Sequence, residues 1–87
     1  METLETMRAS RVYTDDIARD AGIVDSFGGV DSFGGAIGGY VYFGSFWIER
    51  LPDGQFLATV CNGGYRGTLA DCEAYLWDSW VRDQVNQ

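Results

Sequence analysis

The residues of this chain that could do chemistry are thirteen carboxylates, six arginines and two cysteines; histidine and lysine are both absent. That inventory closes several reaction classes. Without an imidazole there is no Ser-His or Cys-His nucleophile, no histidine general base and no histidine metal ligand. Without a lysine there is neither a Schiff base nor a Walker loop. Cys61 and Cys72 are too few for a structural zinc without acidic help, and in a reducing compartment free thiols are their default state. Asp15 and Asp16 are adjacent carboxylates, but neighbours at a helix start serve first as caps that complement the helix dipole. The glycine-rich text "GGVDSFGGAIGG" lacks the GxGxxG spacing that follows a strand in dinucleotide sites. The sequence therefore predicts a protein that is not an enzyme, holds no cofactor or metal, and works by contact.

The elements that must position these acids fall into three parts. Residues 1–21 form a helical segment, in which Leu4, Met7, Arg11 and Val12 can share a stripe. Thr14 is placed to cap "DDIARDAG", and Gly22 to stop it. Residues 22–39 form a glycine-rich loop that writes the hexamer "VDSFGG" twice. A pure connector has no need of Phe27 and Phe33 with identical flanks, so these rings either pack back on the domain or anchor a partner.

Residues 40–87 should form a hairpin plus a helix. "YVYFGSFWIER" and "QFLATVC" are rich in aromatic and β-branched residues, and "LPDGQ" reads as a type I turn with Gly54 in a G1 bulge. This predicts strands at about 40–50 and 55–62, with Ile48 opposite Ala58 and Phe46 opposite Val60 on the core face. Trp47 opposite Thr59 and Glu49 opposite Leu57 then lie on a less covered face. Thr68 opens the capping-box-like "TLAD" of a C-terminal helix at about 69–85. Its stripe of Leu69, Cys72, Leu76 and Trp80 should cover the hairpin, with Trp80 central. The expected class is α+β, a small antiparallel sheet packed against helices.

Length and composition bound the rest. An 87-residue chain supports one domain with a thin core, and 46% apolar with 15% aromatic residues is too hydrophobic for disorder. The net charge of −7 and the dispersed arginines argue against direct nucleic-acid binding and favour a basic protein surface, or simple solubility. The acidic start "METLETMRAS" lacks a signal-peptide pattern and no membrane-spanning run is present, which predicts a cytoplasmic location without membrane contact.

In size, acidity, aromatic surplus and its hairpin-then-helix ending, the chain resembles the small inhibitor proteins that bacteriophages and prophages encode against host defence, anti-CRISPR proteins above all. The resemblance implies an inhibitor acting in the bacterial host's cytoplasm on Cas proteins of a CRISPR complex, by steric and acidic-surface contact. CRISPR complexes hold nucleic acid in positively charged channels. The candidate contacts are then Asp15, Asp16, Asp20, Asp25, Asp31, Glu49 and Asp53, with Phe27, Phe33 and Trp47 as apolar anchors. Two rivals stand beside this reading: a self-associating phage structural or scaffold protein, monomer and homodimer both being open, and a metal-dependent carboxylate hydrolase.

Overall fold

A computed structural model describes residues 1–20, 36–60 and 63–86. Five antiparallel strands lie side by side in chain order: β1 (Val12–Thr14), β2 (Gly38–Tyr42), β3 (Phe46–Arg50), β4 (Phe56–Val60) and β5 (Gly63–Gly67). Around them are α1 (Leu4–Ala9), the single turn α2 (Ile17–Asp20), α3 (Leu69–Leu76) and α4 (Arg82–Val85), with a π-helical segment, Trp77–Val81, joining the last two. The class is α+β, as the sequence predicts. No helix among the described residues is long and apolar enough to cross a membrane.

The "LPDGQ" turn closes β3 and β4 in the expected register. Leu51 N donates to Gln55 O at 2.9 Å, Gly54 N donates to Leu51 O at 3.1 Å, and Gly54 has φ +88°. The ladder pairs Glu49 with Leu57 and Arg50 with Phe56.

Three segments differ from expectation. "YVYFGSFWIER" is two strands rather than one, because Phe43 (φ 53°) and Gly44 (φ 74°) make a tight left-handed turn that pairs Tyr42 with Phe46. Positive φ at consecutive turn residues matches the twist of the flanking strands, and the unbroken aromatic run conceals it. The N-terminal helical segment breaks at Val12–Thr14, whose side chains prefer extended backbone and pair with Val41, Tyr40 and Gly39 of β2. "GGYRG", between the expected hairpin and helix, is a fifth, edge strand β5.

The main core lies between one sheet face and the helices. Tyr42, Phe46, Ile48 and Ala58 from the sheet meet Met7, Cys72, Leu76, Trp77 and Val81. The face predicted for the hairpin is thus the one that carries the core, with Val60 partly buried at its margin. Within the C-terminal helix the centre shifts. The stripe of Leu69, Cys72 and Leu76 points to Trp80 next, but the buried line runs instead from Glu73 to Trp77 (8% exposed), whose N–H still bonds the Glu73 carbonyl, and on through the π turn to Val81 (0%). Trp80 is left half-buried, edge-on to Phe46 with ring centroids 5.4 Å apart.

The second sheet face is covered over β2 and β3 but not at its margins, where Val12 and Thr59 are exposed, so it is the less covered face while Trp47 and Glu49 on it are buried. Paired residues of an antiparallel ladder share a face, so Val41 and Trp47 lie together there, as do Thr14, Gly39 and Glu49. Val41, Trp47 and Glu49 are 8%, 9% and 3% exposed. The turn of α2 sits on this side, where a Cβ at Gly39 would run into the Ile17 side chain and the Ile48 carbonyl. Gly39 therefore sets how closely α2 approaches.

Candidate protein-binding surface

Asp15, Asp16 and Asp20 lie together around α2. Thr14 organises them: its hydroxyl accepts from Asp16 N at 3.0 Å and donates to the Asp20 carboxylate. The cap of α2 is Asp16 rather than Thr14, to which the sequence assigns that role: the helix begins at Ile17, and Thr14 acts one step earlier by holding Asp16. Arg19 closes the turn, donating its backbone N–H to Asp16 Oδ1 (3.1 Å) and its guanidinium to both Asp20 oxygens (2.8 and 3.1 Å). The Arg19 and Thr14 hydrogen bonds hold the Asp20 carboxyl down to about 2, so it is an anion throughout the physiological range. Asp15, Asp16 and Asp20 against Arg19 leave an excess of two negative charges on one exposed turn.

Beside that turn lies an open groove of about 300 Å³ lined by Ser10, Val12, Thr14, Asp20, Val41 and Gly44. Its wall includes Val12, which is 64% exposed. An apolar strip rimmed by carboxylate suits a long basic side chain, whose methylene stem packs on valine while its cation meets the acid.

The other candidate residues are scattered. Asp53 is exposed on the β3–β4 turn, where it accepts from Gln55 N (3.0 Å) and from Arg66, and these bonds lower its pKa. Trp47 and Glu49 are interior residues of this chain, not exposed anchor and contact, because the face that carries them is covered over β2 and β3. Asp25, Phe27, Asp31 and Phe33 lie outside the described residues. Cys72 is a free, buried thiol on α3 whose pKa is pushed up by burial; Cys61 lies outside the described residues.

A buried polar cluster around Glu73 was not anticipated. Glu73, 2% exposed, accepts at Oε1 from Arg8 Nε (3.2 Å) and at Oε2 from Arg11 Nη1 (2.8 Å) and the Tyr42 hydroxyl (2.6 Å). Burial, then the bond to Glu73, drives the Tyr42 phenol far above its ordinary range, so it stays a donor. Burial lowers the Arg11 pKa, but the hydrogen bond and charge of Glu73 outweigh it and raise it overall. The signal was present in the sequence: Glu73 follows Cys72 and sits four residues after Leu69, within the apolar stripe of α3.

The remaining arginines are also engaged: Arg66 with Asp53, Arg82 with Asp78 and Asp83, and Arg50 with the Tyr13 hydroxyl (3.0 Å). Among the described residues Glu5, Asp15 and Asp71 keep exposed carboxylates without an ion pair. No group of three or more metal-ligating side chains occurs among the described residues. No protein family, curated protein or solved structure matches this chain.

Glu49 gives the covered face a pH dependence. Burial pushes its carboxyl from 4.5 up to about 7. As pH rises between those values the unfolded chain releases the proton while the folded chain holds it, so the contribution to stability falls. Above the folded value the charge must be carried in the interior. Glu49→Gln should therefore be more stable than wild type at pH 8, by on the order of 1–2 kcal/mol after allowance for relaxation around the charge, with the difference vanishing by about pH 4. Urea denaturation at several pH values measures it, and a gap that does not change with pH would mean that Glu49 stays ionised in the fold.

Proposed function

We propose that this protein is a non-catalytic inhibitor that docks its acidic α2 face on a basic protein surface and blocks the path of nucleic acid there. The observation that carries this reading is the α2 turn, where Asp15, Asp16 and Asp20 outnumber Arg19 beside the exposed Val12 groove. A phosphate-binding channel offers the complementary chemistry: arginine and lysine side chains arranged to receive anions. Occupying such a channel needs no active site. The resemblance in size and composition to anti-CRISPR proteins supports a CRISPR surveillance complex in an infected bacterium's cytoplasm as the partner.

The test is binding to purified surveillance complexes across a salt series, with target DNA as competitor. Exposed ion pairs are screened over about 8 Å at physiological ionic strength, so affinity should fall as salt rises. Asp15→Arg, which touches no internal hydrogen bond of α2, should slow association by roughly tenfold. Affinity that is flat in salt and indifferent to DNA rejects the mechanism.

A second reading, self-association as a structural protein, is favoured by one observation: β5 is an exposed edge strand paired on one side with β4. Light scattering that gave a large, salt-insensitive homo-oligomer would select it.

A further inference from the structure

Arg8, near the end of α1, and Arg11, just beyond it, differ from the other arginines in sharing one acid. Arg19, Arg66 and Arg82 each sit with acids of their own, whereas Arg8 and Arg11 both bind Glu73, so one of their two positive charges is left over. The shared carboxylate is 2% exposed, but the two arginine side chains remain 39% and 37% exposed. Glu73 is thus a fixed anchor on the inside, itself held by the Tyr42 hydroxyl at 2.6 Å. Arg8 uses only Nε on it and Arg11 only Nη1, which leaves most of the five N–H donors of each guanidinium without an acceptor among the described residues. Arg11 is further fixed by lying over the Tyr40 ring, 5.3 Å from its centroid.

We propose that Arg8 and Arg11 form a preorganised oxyanion site for a compact phosphate dianion, free or carried as a monoester. Guanidinium forks match phosphate oxygens in pairs, and a phosphate dianion presents enough acceptors to engage both forks at once. Anchoring on Glu73 and Tyr40 removes much of the side-chain entropy that binding would otherwise cost. Size is limited by charge. One surplus positive charge on a chain of net charge −7 attracts a small dianion, while each further phosphate of a nucleic-acid strand would meet a repulsive surface. The site is separate from the acidic docking face and does not depend on it.

The arginine Nε–Hε resonances of the full chain report the site directly. Titration with inorganic phosphate at constant ionic strength should shift those of Arg8 and Arg11 saturably and leave Arg19, Arg50, Arg66 and Arg82 unmoved. Phenyl phosphate distinguishes the sources: binding equal to or tighter than inorganic phosphate identifies a monoester site, and much weaker binding a site for the free ion. Arg8→Gln should weaken phosphate binding about tenfold, the loss of one charge-assisted hydrogen bond. Arg8→Lys keeps a cation beside Glu73 and should still weaken binding severalfold, because the fork is gone. Small, unsaturable shifts spread over all six arginines would overturn the site, as would equal affinity in both variants. Binding of a short oligothymidylate as tight as phosphate would overturn its restriction to a compact dianion.

Discussion

Trp77→Ala is expected to lower the unfolding free energy by about 3–5 kcal/mol, and Trp80→Ala by about half as much. The difference comes from burial. Trp77 is 8% exposed within the main cluster, packed with Leu76 and Val81, and its removal leaves a cavity that a sheet face on one side and a helix on the other cannot easily close. Trp80 lies partly open and loses chiefly its edge-on contact with Phe46. Equal losses of melting temperature for the two variants would mean that Trp80 is as deeply buried as Trp77 and that the sequence-level stripe is the correct one.

That comparison also shows where sequence reasoning reaches and where it stops. The β3–β4 turn and its register at Glu49 and Leu57 were legible though the strand bounds were not, because a glycine-bearing turn of defined length fixes register and register fixes which side chains share a face. The core face, with Phe46, Ile48 and Ala58, followed from that alone. What was not legible was set by tertiary partners. Trp77 continues a line four residues on from Glu73, but a charged residue at 73 hides that edge of the stripe, so periodicity over apolar residues alone selects Trp80. Val12–Thr14 has modest extended preference and becomes a strand only because β2 offers it an edge. β2 itself was hidden by the aromatic run in which Phe43 takes a left-handed conformation. Of the candidate site, Asp15, Asp16 and Asp20 were legible as a capped acidic turn. The interior positions of Trp47 and Glu49 were not, since nothing local indicates that the second face is covered over β2 and β3.

Glu73 tests the largest thing that was missed. Glu73→Ala is expected to cost about 3 kcal/mol: it removes the buried acceptor of Tyr42 and the anchor of both Arg8 and Arg11. The figure lies at the lower end for a broken buried pair because both arginines retain contact with water and do not become stranded buried charges. Tyr42→Phe should cost less, about 1–2 kcal/mol, since the carboxylate keeps its two cations. The double variant should fall short of the sum, because once Glu73 is gone the Tyr42 hydroxyl has no bond left to lose. Equilibrium urea denaturation of the four proteins closes the cycle. A coupling of about 1 kcal/mol or more identifies Glu73 and Tyr42 as one unit joining α3 to the sheet, with α1 drawn in through Arg8. Additive losses would mean that the carboxylate and the phenol act separately, and that α1 is held by Met7 in the core rather than by charge.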